Sequence, residues 1–197
     1  MKKVFCILLI ILVYSVPTLA QDNNWTGNIN FLYGMKYLDE DDWEPVEDQQ
    51  EWGVSLDFKM KDWPVSIAID YLYSDDDNTG VYFVPGYGNI TAKLEGETYE
   101  IDFGVRYIAE VSPIVKPFIG GGISFINGEF SLSTMGVSIS EDDSAVGMWA
   151  NAGVCFIIAD HFNIGAQVRW SYAEIDIYGV DGDAGGFHFL GMAGFHW

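Results

Sequence analysis

Apolar residues in this chain recur at every second position, in eight separate stretches. In the first, Trp25 to Tyr37, the residues Ile29, Phe31, Tyr33, Met35 and Tyr37 share one parity, while Asn28, Asn30, Gly34 and Lys36 share the other. Side chains on an extended strand alternate between faces, so this stretch predicts a strand with one apolar and one polar side. The same pattern returns over 52–60, 64–74, 98–107, 114–126, 146–157, 162–173 and 187–197. Each approaches the roughly 9–11 residues that a tilted strand needs to cross a bilayer.

The connections carry a second rhythm. Segments 38–51, 75–97, 127–145 and 174–186 are long, and those around 61–63, 109–113 and 159–161 are short. Long loops on one side and tight turns on the other are the habit of barrels in the bacterial outer membrane, where the long loops face outward. The aromatics agree. Trp25, Trp63, Tyr107, Phe156, Phe162 and Trp197 fall near the short-turn end, and Tyr37, Trp52, Tyr73, Tyr99, Phe125, Trp170, Tyr172 and Phe187 near the long-loop end. Amphipathic rings collect at the two head-group levels. The predicted architecture is all-β: an eight-stranded antiparallel up-and-down transmembrane β-barrel, lipid outside and a packed lumen inside. A water-soluble barrel would turn its apolar face inward and its charges outward; the charge-free face here is too long and too aromatic for water.

The start of the chain fits export. Lys2 and Lys3 precede an apolar run, Val4 to Val16, and Pro17-Thr18-Leu19-Ala20 supplies a small residue before Gln21. These are the three regions of a cleavable Sec-type signal peptide, and the run falls short of the roughly 20 residues of a spanning helix. The expected division is 1–20 signal peptide and 21–197 a single barrel domain, with an uncleaved anchor as the alternative. Cys6 lies inside the leader, so Cys155 alone remains and no intramolecular disulfide is possible. It is read as filler on the inward face.

Composition then narrows the partners. The chain has 9 basic and 29 acidic residues and a formal net charge of −20. Such a surface repels nucleic acid. It also disfavours direct contact with anionic head groups, unless divalent cations bridge the charges.

The inward parity carries Asp57, Lys59, Asp70, Glu100, Asp102, Arg106, Lys116 and Arg169. An eight-stranded barrel is just wide enough for its own side chains, so these are expected to pair with one another as a structural plug. By height, Arg169 is expected to reach Asp57, Asp70 or Asp102. Arg106, Lys59 and Lys116 sit nearer the short-turn end, where fewer partners are expected. A charge-lined pore is the alternative.

At this point the chain resembles the small eight-stranded outer-membrane barrels of the OmpX/Ail and OmpA-barrel type, the outer membrane protein beta-barrel domain. The terminal Gly194-Phe195-His196-Trp197 and the run Lys116-Pro117-Phe118-Ile119-Gly120-Gly121-Gly122 carry the resemblance, together with the strand–loop rhythm. It covers the processed chain, and no further domain is expected beyond Trp197. It implies a place in the cell outer membrane among lipid and lipopolysaccharide, a monomer without cofactors, and a terminal strand whose Phe195 and Trp197 are read by the barrel-assembly machinery.

Some barrels of this size act on lipid A, as palmitoyl transferases or deacylases. Acyl transfer needs a base beside a hydroxyl nucleophile and a carboxylate to orient the base. No histidine here stands two residues from a serine on a lipid-facing strand, and no histidine lies in a long loop. No catalytic residue is assigned. The acidic loops are the more unusual feature. Loop one runs Asp39-Glu40-Asp41-Asp42 and ends in Glu47-Asp48-Gln49-Gln50-Glu51. In loop two, Asp75, Asp77 and Thr79 alternate before Gly80 like the opening of a calcium loop, but Gly86 occupies the position of the bidentate Glu. Weak divalent binding pooled over several loops is the expectation, with a solvated acidic turn as the simpler reading. The apolar residues at 81–87 and at Phe130, Leu132, Met135, Val137 and Ile139 suggest hairpins above the membrane that pack over the barrel mouth or offer an edge to a partner strand. The functional expectation is a non-enzymatic integral barrel with a filled lumen and acidic outer loops, acting in envelope integrity or adhesion. A narrow OmpW-like channel for small or hydrophobic solutes is the runner-up, and a lipid A-modifying enzyme comes third.

Overall fold

The computed structural model describes residues 24–84, 88–134, 137–159, 161–177 and 179–197. The expected signal peptide lies outside the described residues, as do 85–87 and Met135 of the expected loop hairpins.

The strands are β1 (Trp25–Tyr37), β2 (Asp48–Met60), β3 (Ser66–Val84), β4 (Gly88–Ile108), β5 (Val115–Thr134), β6 (Val137–Ile158), β7 (Phe162–Tyr172), β8 (Glu174–Ile177), β9 (Val180–Asp183) and β10 (Gly186–His196). One turn of helix, α1 (Glu40–Trp43), lies between β1 and β2. Eight strands hydrogen-bond in a closed ring, β1-β10-β7-β6-β5-β4-β3-β2, and β8 and β9 form a separate hairpin in the last long loop. Closure leaves no unpaired edge at membrane depth, which is the condition for a sheet to sit in hydrocarbon.

The seam joins the first and last strands: Ile29 faces Phe195 and Tyr37 faces Phe187. Below them Gly27 and Trp197 exchange both backbone hydrogen bonds at 3.1 Å. A Cβ at Gly27 would meet the Asp57 carbonyl and the Trp197 indole, so the glycine is what lets the terminal ring cover β1.

Parity sorts the faces as expected. Phe31, Ile119, Phe162 and Phe189 each expose half or more of their surface. Their inward neighbours Asn30, Phe118, Asn163 and His188 are buried. Apolar exposure of this kind all round a closed sheet is solvated by lipid, not water. The aromatic belts form at both ends. Trp25 packs on Trp63 and Phe58 at the short-turn end, and Trp52, Tyr73 and Tyr99 stack in series at the long-loop end with centroids 5.6 and 5.1 Å apart.

Strand length departs from the expectation. β3 and β4 stay paired up to Val84 and Gly88, β4 and β5 up to Ala92 and Thr134, and β5 and β6 up to Thr134 and Val137. The hairpins expected above the membrane in loops two and three are thus unbroken continuations of the barrel strands, about ten residues longer than the spanning segments, and form a four-stranded wall on one side of the mouth. Sheet hydrogen bonding propagates wherever a neighbouring strand is present, whatever solvates the side chains.

The mouth itself is closed by other segments than expected. Trp43, Val46 and Leu38 from loop one meet Ile175, Ala173 and Ala184 from around the β8–β9 hairpin, over Ile126. Phe130 and Leu94 flank this cluster. Among the described residues of the tall hairpins Val81, Val137 and Ile139 stay 67%, 60% and 55% exposed and do not cap the barrel, whereas Phe130 does.

Candidate functional site

The lumen is filled in two charged layers. The lower one centres on Asp70, at the level of Asp102 by strand pairing. Its Oδ2 accepts from Arg106 Nη2 and from Arg169 Nη1, both at 2.9 Å. Arg106 also donates to Ser55 Oγ at 2.9 Å and reaches Asp57 at 3.3 Å. Arg169 donates to Asp102 as well. Each guanidinium lies over an aromatic ring: Arg169 is 4.5 Å from the Trp149 centroid and Arg106 is 5.3 Å from that of Phe118. Planar forks that bridge two carboxylates while stacking on a ring are the geometry for which arginine is suited and lysine is not.

All five residues singled out from sequence (Asp57, Asp70, Asp102, Arg106 and Arg169) thus meet in one buried network. The distribution of partners differs from the expectation. Arg106, placed by its Cα near a sparsely charged end, extends upward to two carboxylates, and it is Arg106 that pairs with Asp57. An arginine spans several ångströms from its Cα, about two rungs of a strand, so backbone height alone misassigns its partners. Lys116 stays near the end, 3.9 Å from Glu110.

The upper layer goes beyond what the sequence predicts. Lys36 Nζ donates to Glu100 at 2.6 Å, Thr98 at 2.9 Å and the Ala184 carbonyl at 2.8 Å. His188 Nδ1 lies 2.8 Å from Glu51 Oε2, and its Nε2 lies 2.9 Å from Ser171 Oγ. Ser171 also donates to Glu100 at 3.0 Å. A carboxylate–histidine–serine chain therefore exists, built from three strands. A search for His and Ser on one strand cannot find it, because Ser171 and His188 meet across the β7–β10 pair. Register reveals it: Lys36 faces both Gln49 and His188. Glu51, Ser171 and His188 are each at most 1% exposed, beneath the apolar cap.

Asp70, Asp102, Leu32 and Leu72 are 0% exposed at mid-lumen. A small cavity of about 90 Å³ lies below them, lined by Asn28, Lys59, Lys116 and His196. Another of about 250 Å³ lies above, in the cap. A packed layer separates the two. Cys155 is buried in an apolar cluster with Leu32, Phe118 and Met192, its Sγ 3.7 Å from Met192 Sδ.

Above the membrane the geometry is set by like charges. Asp75, Asp77 and Thr79 do not form a turn. They lie on β3 facing Glu97, Glu95 and Lys93 on β4. A calcium loop curls its backbone around the ion; here those residues are extended and paired across the ladder, so the loop geometry is absent and a flat ladder of carboxylates takes its place. Lys93 bridges it, 2.5 Å from Glu95 and 3.5 Å from Asp77. Partial burial, and then the Glu97 carboxylate opposite, push the Asp75 carboxyl above its usual range. Among the described residues no group of three or more His, Cys, Asp or Glu is arranged to hold a metal ion.

The closed ring agrees with the family model that the chain's sequence matches over residues 6–194, the outer membrane protein beta-barrel domain. The chain belongs to that family. Its backbone is similar to that of Ail from Yersinia pestis in complex with the heparin analogue sucrose octasulfate, with a TM-score of 0.58 and 12% identity over 88% of this chain and 99% of that one. Neisserial surface protein A gives 0.52 at 13% identity over 88% and 97%. A major outer membrane protein from Thermus thermophilus gives 0.52 at 8% identity over 88% and 99%. No curated protein sequence matches the chain. At these identities the likeness is one of fold. As a member of the outer membrane β-barrel family the protein is an integral protein of the cell outer membrane.

Proposed function

We propose that the protein is a sealed, non-enzymatic barrel whose working part is its acidic outer end, which makes adhesive contact with cationic surfaces or, through divalent cations, with neighbouring lipopolysaccharide. The observation that carries this reading is the contrast between the two ends of the molecule. The lumen is occupied by paired side chains at 0–2% exposure. Outside it, α1 presents Glu40, Asp41 and Asp42 in its single turn, and the β3–β4 ladder presents Asp75, Asp77, Glu95 and Glu97, with Lys93 as its neutralising cation. A field of one sign that a single lysine compensates only in part attracts counter-charge and speeds encounter. The same sign argues against carrying over the sulfated sugar of the Ail complex, since a polyanion would be repelled here.

Two measurements test this. In planar bilayers the refolded protein is expected to be electrically silent, and steady single-channel steps would establish the channel reading instead. Vesicles bearing the protein are expected to be retained on polylysine and not on heparin. Retention equal to that of empty vesicles would remove the adhesion role.

A further inference from the structure

The cap contains a cavity of about 250 Å³ that opens outward between loop one and the β8–β9 hairpin. Trp43 and Ile175, each 3% exposed, form its floor, and Phe130 and Ile177 form its walls. Val180 lies at the rim, 66% exposed. Asp41 and Asp181 stand beside it. Asp42 has a separate task, as its Oδ2 accepts from the Asp183 N–H at 2.9 Å and ties the loops together. Lys93, the lysine of the tall hairpins, is already shared between Asp77 and Glu95 and does not neutralise this rim.

An apolar hollow with an acidic mouth discriminates by charge. Its walls have nothing to offer a hydrated metal ion, and its rim repels an anion such as a lipid phosphate. A neutral apolar molecule gains burial but leaves the carboxylates unanswered. We propose that this cavity binds a small amphipathic cation: a single aromatic ring or short alkyl chain carrying an ammonium group, with its apolar body against Ile175, Ile177 and Phe130 and its head between Asp41 and Asp181. The volume is below the usual range for drug-sized ligands, about 300 Å³ and upward, which limits the body to about one ring. The proposal shares the acidity of the outer end with the proposed function but does not depend on adhesion.

The test uses the refolded full barrel in zwitterionic nanodiscs, with the methyl resonances of Ile175 and Ile177 as reporters. Phenethylammonium is titrated against its neutral and anionic counterparts, 2-phenylethanol and 3-phenylpropionate. The ammonium is expected to shift both methyls saturably, the alcohol to bind about fivefold more weakly and the carboxylate not to bind, as befits two solvent-exposed carboxylates. In D41N/D181N, which alters exposed side chains only, the ammonium should fall to the affinity of the alcohol at an unchanged thermal midpoint. V180W, which fills the mouth, should abolish the shift for both. Equal affinity for ammonium and alcohol, unchanged affinity in D41N/D181N, or no saturable shift would each overturn the proposal. Polylysine retention reads the whole loop array, so it would survive that failure.

Discussion

The indole N–H of Trp43 donates to the main-chain carbonyl of Asp183, 140 residues away in sequence, at 2.8 Å. The Asp42 carboxylate receives the Asp183 N–H in return. Both main-chain polar groups of one residue in the last loop are therefore held by two adjacent residues of the first. This double clasp closes the mouth, and the apolar cluster beneath it excludes water from the upper charge layer. W43F removes the hydrogen bond but keeps most of the packing, and should cost about 1 kcal/mol. W43A opens the cluster and should cost about 3–5 kcal/mol, the usual range for a buried tryptophan. Denaturant unfolding of the refolded barrel gives the magnitudes. Hydrogen exchange should show the loss confined to loop one and the β8–β9 hairpin; uniform loss across β1–β7 would mean the clasp is not a separate unit.

Asp70 holds two guanidinium groups on one oxygen. D70A leaves Arg106 and Arg169, both buried, short of a counter-charge, and is expected to destabilise by about 3–5 kcal/mol. D70N keeps the shape but not the charge, and should recover only part of that. A loss for D70A no larger than that of a typical surface substitution, about 0.5 kcal/mol, would show that the remaining carboxylates suffice.

The carboxylate ladder makes the tall β3–β4 hairpin pH-sensitive. Burial and the Glu97 and Asp76 carboxylates raise the Asp75 carboxyl above its ordinary value of 3.8. Asp76 is raised as well, chiefly by burial. A carboxyl that binds protons more tightly when folded adds stability as pH falls. The gain is complete below the unfolded value and disappears as pH rises through the folded one. Amide protection above Ser74, corrected for the intrinsic pH dependence of exchange, should therefore rise on moving from neutral pH into the acid range. Millimolar Ca²⁺ or Mg²⁺ at neutral pH should mimic the effect by bridging the ladder. An effect of acid with none of the ions would leave the ladder as a proton site only.

The Glu51–His188–Ser171 chain has the order of a hydrolytic triad, yet Ser171 is fully buried and its hydroxyl also engages Glu100. The serine should resist fluorophosphonate in the folded barrel. S171A should cost about 1 kcal/mol as a lost buried hydrogen bond. Covalent labelling at Ser171 would transfer the protein to the acyl-hydrolase class.

Phe195 and Trp197 are proposed as the signal read by the assembly machinery, and Trp197 also covers Gly27 at the seam. F195A/W197A should lower the amount of barrel in the membrane of living cells far more than its yield on refolding in micelles. Equal losses in the two settings would assign both rings to the seam alone.

Alternation along the chain determined which side chains face lipid and which face the lumen. That assignment holds in each of the eight barrel strands because parity is a property of extended backbone and needs no knowledge of neighbours. The order of long and short connections likewise foretold antiparallel neighbours, and the terminal strand ending on Trp197 foretold the closure of the ring. Contacts between strands are another matter. Asp57 found Arg106, Ser171 found His188 and Trp43 found Asp183 only once register and tilt had set every height in the ring. A shift of two residues in any one pairing would keep all the faces and change every partner. Local periodicity thus dictated the barrel and its solvent, whereas the plug, the clasp and the acidic-mouthed cavity arise from long-range registration, which exists only when the sheet is closed.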